Sequence, residues 1–437
     1  MSSAEVVSEI VSGAVAPEAV AVAGTEVRTV ALPDADAVGA LLDRLPASAP
    51  LAWVRGGDGI VGWGSAARVR LTGDGQFEAA QTWWSRWLDG VAVEDGVRVP
   101  GSGPVAFASF AFDAEHGSSV LVVPRVLLGR RGDTAWLTVV GDADDLDDAD
   151  PGRLLAPVPA PEPPGQVSWS EGSLTAVQWQ DSVRQAVDRI VAGELDKVVL
   201  ARDLVATTAT PVDQRTLLRR LADRYPSCWT FAVDGLLGAT PELLVRRTGD
   251  EVLSRVLAGT VGRLGDDAAD GELADALLGS EKDLEEHEIA VHSVAAVLAA
   301  HCDRLDVPEQ PTVLRLRNVQ HLATDVSGRL ADGSGVLALA GALHPTAAVC
   351  GTPTEVAMRV IRELEGMDRG RYAGPVGWLG ADGDGEFGIA LRCAEVDGAR
   401  LRLFAGCGIV AGSDAEAELA EAQAKLVPVR DALESAD

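Results

Sequence analysis

From about Leu174 to Ala192 apolar residues recur at helical spacing, and Gly193 ends the run, which predicts a helix. The next apolar run, Lys197-Val-Val-Leu-Ala-Arg202, is unbroken and predicts a buried strand. Trp229–Val233 and Leu236–Gly238 flank Asp234-Gly235, a strong hairpin signal. Thr248-Gly-Asp250 makes another turn before Glu251–Leu257, and Gly388–Val396 and Arg400–Phe404 flank Asp397-Gly398. Strands joined by such tight turns run antiparallel. Helices come in long stretches rather than after every strand. The pattern therefore predicts an α+β fold, with large antiparallel β-sheets packed together and surrounded by helices, and not a doubly wound parallel sheet.

The first part of the chain is less regular. Residues 1–25 are rich in Ala, Val and Glu without punctuation and read as a flexible N-terminal tail. Short apolar runs then alternate with Gly/Asp turns up to about Val140, and Trp83, Trp84 and Trp87 fall on a helix, where core packing is the expected role. The acidic run Asp142–Asp150 reads as a solvated loop. Pro157-Val-Pro-Ala-Pro-Glu-Pro-Pro164 admits neither helix nor central strand. The expected organisation is one large domain with two lobes, at 26–165 and 174–434, after the tail at 1–25.

Charge and composition narrow the function. The 437 residues carry 37 basic and 66 acidic side chains, a net charge of −29, which excludes a basic nucleic-acid binder and disfavours an anionic membrane surface. The first 27 residues contain no Lys or Arg, and the uncharged stretch Gly333–Thr354 is broken by Gly, Pro and His, so neither a secretory signal nor a membrane span is expected. Five scattered cysteines without a CxxC pair indicate no disulfide framework or zinc site. A cytoplasmic protein is expected, and a monomer. Only three lysines occur, Lys197, Lys282 and Lys425. Where arginine supplies nearly all positive charge, a retained lysine is a candidate base, because lysine releases its proton and arginine does not.

Several segments carry candidate chemistry. Ser280 with Asp283 resembles a capping box, and behind it Asp283, Glu286 and His287 share one helical face. Ser413 with Glu416 makes a second such box, and Glu418, Glu421 and Lys425 line one face of the following helix. The preceding Ala405-Gly-Cys-Gly-Ile-Val-Ala-Gly412 reads GxGxxxG, not a dinucleotide fingerprint, but a glycine-lined turn before a helix suits an anion. Glu242 follows a strand end. Arg392 is expected inside a strand, facing away from Phe387, Ile389, Leu391 and Cys393. His344 and His321, each taken alone, read as structural histidines. Two carboxylate-bearing helices, a buried lysine and an arginine suit an anionic substrate with a hard cation such as magnesium.

In order, KVVLAR at Lys197, GATPELL at Glu242, LAGT at Thr260, SEKDLEEH at Glu286, QHLAT at His321, LHPTAAVCGTP at His344, YAGPVGW at Tyr372, GDGEFGIALR at Arg392 and AGCGIVAGSDAEAELAEAQAK up to Lys425 resemble the chorismate-utilising enzymes. That family includes isochorismate synthases, salicylate synthases and the large subunit of anthranilate synthase. The resemblance covers about Leu174 to Leu433 and implies an anthranilate-synthase-component-I-like fold.

It also implies roles. Glu286 and Glu421 would hold Mg2+, which binds the ring carboxylate of chorismate. Arg392, Tyr372 and the backbone at Gly406 and Gly408 would bind the enolpyruvyl carboxylate. Thr260, His321 and Lys425 match substrate-contacting positions. Lys197 matches the lysine that activates water, and Glu242 the acid that protonates the departing 4-hydroxyl. A lysine buried near a cation loses its proton more readily, and a desolvated carboxyl retains its own. Ala258 stands where aminodeoxychorismate synthases carry a nucleophilic lysine, which argues against that branch. His344-Pro-Thr346 favours isochorismate synthase, serving menaquinone or a catechol siderophore. Tyr372 and Leu391 also occur in salicylate synthases, which keeps that branch as the alternative, beside a non-catalytic chorismate-binding subunit.

Overall fold

The apolar run at Lys197 extends to a twelve-residue strand, because almost every side chain on both its faces is covered. Its neighbours follow from the same rule. In the computed structural model, which describes residues 9–12, 24–147 and 150–434, the strands that position the site are β1 (Leu51–Arg55), β2 (Val105–Ser109), β3 (Lys197–Thr208), β4 (Trp229–Val233), β5 (Leu236–Thr240), β6 (Leu243–Thr248), β7 (Glu251–Gly262), β8 (Val319–Leu330), β9 (Pro375–Gly380), β10 (Gly385–Ile389), β11 (Cys393–Asp397) and β12 (Arg400–Ile409). Helices α1 (Gln76–Asp89), α2 (Ala176–Val191), α3 (Glu281–Ala299) and α4 (Ala415–Glu434) pack around them.

Among the described residues the strands form two large sheets. One, of 11 strands, contains the path β2-β9-β10-β6-β7-β8; the other, of 13, contains β3-β12-β11-β5-β4-β1. Pairing is antiparallel except at an edge of each sheet, where Glu9–Ser12 pairs with Ala67–Thr72 and Glu26–Leu32 with Ala92–Asp95. The expected α+β architecture is therefore the observed one. Both sheets draw strands from either side of the connector at 157–164: β1 pairs with β4, and β2 with β9. Within the segment read as a tail, residues 1–8 and 13–23 lie outside the described residues.

Local signals explain the boundaries. Thr175 and Gln178 form a reciprocal capping box at the start of α2, and Gly193 takes φ 77° just beyond its end. Asp234 and Gly235, with φ of 51° and 82°, make the tight turn between β4 and β5. Trp83, Trp84 and Trp87 of α1 are all buried, as a core role requires, and Trp84 stacks on Trp87 at 5.2 Å. The acidic run differs from expectation, since Ala143–Asp147 forms a short helix with Leu146 buried; residues 148 and 149 lie outside the described residues.

The larger departure is at Gly388–Val396. This segment reads as one strand but is two, in different sheets: β10 belongs to the 11-stranded sheet and β11 to the 13-stranded one. Arg392 sits at the crossing with φ 50°, so strand alternation does not set its direction. The chain crosses a second time between β5 and β6, at Pro241-Glu242. The two crossings lie side by side, with Ala239 N donating to Arg392 O (3.2 Å) and Ile389 N to Glu242 O (3.3 Å).

Candidate active site

The paired crossings open a cavity whose empty space, mouth included, is about 840 Å³. Glu242 and Arg392 line it from the crossings, Thr260 and His321 from β7 and β8, Gly406 and Gly408 from β12, Glu286 from α3, and Glu418, Glu421 and Lys425 from α4, with Tyr372 completing the wall. Ten of the eleven residues expected at the site thus lie on one surface. The eleventh, Lys197, lies just behind it: its side chain is 1% exposed and Nζ is 2.8 Å from Glu286 Oε1.

The glycines of β12 explain how a buried lysine reaches this wall. A Cβ at Gly408 would lie 2.5 Å from Glu286 Oε1 and 3.0 Å from Lys197 Cε. One at Gly406 would crowd the Tyr372 hydroxyl at 3.2 Å. Both glycines are in a strand paired with β3, not in the glycine-lined turn that the spacing suggested. The helix that follows is capped by Asp414, which accepts from Glu416 N and Ala417 N, whereas Ser413 donates to Glu418 Oε1. The expected Ser413–Glu416 box is therefore replaced by an Asp cap one residue later.

Two carboxyls on this surface are driven in opposite directions. Burial pushes the Glu242 carboxyl up to about 8, against the opposing pull of Lys197 and Arg392. Burial also acts on Glu286, but the contact with Lys197 outweighs it and holds that carboxyl below its ordinary value. Glu242 thus carries a proton at neutral pH and Glu286 a charge. Burial and the neighbouring Glu421 raise the Glu418 carboxyl to about 7. On α4 the pair Lys425–Glu421 (2.5 Å) is not the exposed helix-surface pair its spacing also allowed, because Lys425 is largely buried and Nζ donates to Gly406 O (3.0 Å).

Arg392 is fixed by a relay. Its Nη2 donates to His321 Nε2 (3.2 Å), so the Nδ1–H of His321 faces Thr260 Oγ1 (3.0 Å) and Gly259 O (3.4 Å). Burial, then Arg392 and Lys425, hold His321 far below the ordinary histidine range, which keeps it neutral. Arg392 Nε is buried and has no hydrogen-bond partner among the described residues. Arg392 lines the cavity with His321 as its one side-chain partner, and a guanidinium so placed suits an anion. Tyr372 stacks on Phe404 at 5.0 Å, and burial raises its phenol. The α3 face divides: Asp283 and Glu286 line the cavity, but His287 turns to Thr324 Oγ1 of β8 (2.8 Å). His344 is structural as expected; its ring bonds Phe112 O (3.0 Å), and burial lowers it to about 4.

A family model described as chorismate binding enzyme matches residues 53–434. The chain belongs to the chorismate-binding enzymes. It is 34% identical over 353 residues to the isochorismate synthase MenF of Bacillus subtilis, covering 76% of this chain and 75% of that one. Identity to the isochorismate synthase DhbC of the same organism is 42% over 283 residues, 62% of this chain and 67% of that one. The structure of MenF, the menaquinone-specific isochorismate synthase of Escherichia coli, superposes with a TM-score of 0.77 at 29% identity, covering 95% and 96% of the two chains.

In this chorismate-binding enzyme the site includes residues for which the sequence suggested no role there. Glu418 lies one helical turn before Glu421 and is the more deeply buried of the two. Arg369 backs the cavity, paired with Glu365 in a fully buried contact. Lys282 stands at the start of α3 and lines the cavity with Asp283. A helical period places Glu418 beside Glu421, but no pattern in the sequence pairs the Arg369 segment with β3.

Proposed function

We propose that the protein is an isochorismate synthase that converts chorismate to isochorismate, adding water at C2 as the 4-hydroxyl departs. The observation that carries this reading is Glu242: a carboxyl that keeps its proton to about pH 8 while lining the same cavity as Arg392. Such a group is an acid ready to protonate a leaving hydroxyl. Lys197, buried behind Gly408, is the base that takes the proton of the incoming water at Nζ, once it has released the proton it holds in the pair with Glu286. Arg392, held by neutral His321 and Thr260, binds the enolpyruvyl carboxylate, helped by Tyr372 and the backbone at Gly406 and Gly408. Lys425, clamped between Glu421 and Gly406 O, sets the charge of the metal-facing helix and contacts substrate.

The donor set suits magnesium. Glu418 and Glu421 bring carboxylate oxygens within 4.8 Å of each other, and their mutual repulsion is what a cation would relieve. Glu286 and Glu421 would hold the ion, which when bound neutralises the ring carboxylate and fixes the ring. No helix among the described residues is long and apolar enough to cross a membrane. The enzyme acts as a cytoplasmic monomer with chorismate as its small-molecule partner, in menaquinone or catechol-siderophore synthesis.

Product analysis with chorismate, with and without magnesium, tests this. Isochorismate that requires magnesium supports the reading; no turnover by the wild-type chain sinks it. Salicylate fluorescence without an added lyase would assign the salicylate-synthase alternative instead.

A further inference from the structure

A chain of net charge −29 must admit a dianion. At long range the two repel, so capture depends on cations placed locally. Four cationic side chains line the cavity: Lys282, Arg369, Arg392 and Lys425. Arg369 is consumed by Glu365 and two backbone carbonyls, and Lys425 is held in place by Glu421 and Gly406 O, which take two of its three donors. Arg392 donates to His321 and is itself buried at the cavity wall. Lys282 is different. It is exposed, and no ion pair or hydrogen bond of its ammonium is found among the described residues.

Its position is electrostatically poor for the helix. Lys282 lies in the first turn of α3, behind the Ser280 cap, where a cation opposes the helix dipole. Its i,i+4 neighbour Glu286 is turned to Lys197, and lysine before glutamate is the weaker order of such a pair. A residue that costs its own helix stability and faces a cavity has its use in the cavity. Its charge acts on Glu286 of α3 and on Glu418 of α4, which line the same cavity.

We propose that Lys282 is the entry cation of this site, meeting a carboxylate of the substrate at the mouth before Arg392 receives the other inside. This deepens the isochorismate-synthase reading and rests on it. The substrate class it selects is a small dianion whose two carboxylates are separated, so that one is engaged outside while the other moves inward.

The test uses the full chain with chorismate and magnesium. Lys282→Met retains the aliphatic stem and removes the charge. A loss of about five- to tenfold in kcat/KM is expected, carried by KM. The deficit should be largest at low salt and shrink toward unity near 1 M, where the interaction is screened. Lys282→Arg should restore capture, and Lys282→Glu should deepen the loss. A merely structural role would leave the salt dependence of the variant parallel to that of wild type. Wild-type turnover with an unchanged kcat/KM in Lys282→Met overturns the entry role alone. Equal deficits at all salt concentrations, or a loss confined to kcat, also overturn it. A wild-type chain that neither binds nor converts chorismate overturns both this role and the function on which it rests.

Discussion

Two buried ion pairs hang from the same strand and have opposite fates. Lys197 and Val199 of β3 differ by two positions, so they share a face of the strand, as does Ala201. At one end, Lys197 meets Glu286. At the other, Arg369 holds Glu365 while its guanidinium donates to Val199 O (2.8 Å) and Val349 O (2.9 Å) and lies over the Phe112 ring at 4.1 Å. Glu365 in turn accepts from Ala201 N (2.7 Å). In the second pair both carboxylate oxygens and all three guanidinium nitrogens are engaged by the chain, so nothing is left for a ligand. In the first, Glu286 is 14% exposed, faces the cavity, and takes a single described partner. Burial alone therefore does not mark a functional charge; an uncommitted acceptor at a cavity wall does.

The comparison breaks most visibly if the wrong pair is found to carry turnover. Lys197→Ala and Glu242→Gln should each lower kcat by about two to four powers of ten with the fold retained, measured as isochorismate formed beside circular dichroism. Arg369→Ala should instead cost about 3–5 kcal/mol in urea unfolding, because it leaves the Glu365 charge buried and alone, while the folded fraction keeps its KM. Equal activity losses per folded molecule in both sets would erase the distinction.

A smaller effect sharpens it. Glu242 binds its proton more tightly when folded, about 8 against 4.5 unfolded. Its contribution to stability is therefore intact below about pH 4.5 and lost as pH rises through 8. Glu242→Gln lacks that loss, so its stability relative to wild type should grow by up to about 1.4 kcal/mol per pH unit across the window, in denaturant titrations at stepped pH. Over the upper end of that range, wild-type kcat/KM should fall as the acid deprotonates. The smallest effect is at Phe112. Replacing it with Leu should cost about 1–2 kcal/mol of thermal stability by removing the ring under Arg369, with no shift in the pH profile.

The fold class was legible in the sequence because turn chemistry is local. Asp234-Gly235 and Asp397-Gly398 announce hairpins, and hairpins make antiparallel sheets. Glu286, Glu421 and Lys425 were legible because a helix repeats every 3.6 residues. Arg392 lines the cavity with the other motif residues, but not through strand alternation, which fails where the chain changes sheets. Glu242 was legible as a strand-end carboxylate, but its neighbour at the other crossing was not. Backbone pairing between 239–242 and 389–392 continues the β5–β11 and β6–β10 ladders, and the pairing of strands so far apart in the chain has no local signature. The Arg369–Glu365 seal was missed for the same reason.

The two adjacent crossings also bear on how the molecule is made. Glu242 and Arg392 are about 150 residues apart in the chain, and they meet only once β5 has paired with β11 and β6 with β10. Each sheet could assemble its hairpins early, since those contacts are local. The cavity has no partial form, because its walls are the joints between the sheets. Recovery of turnover after dilution from denaturant would then trail recovery of strand signal, and catalytic competence would serve as a report that the last long-range closure has occurred.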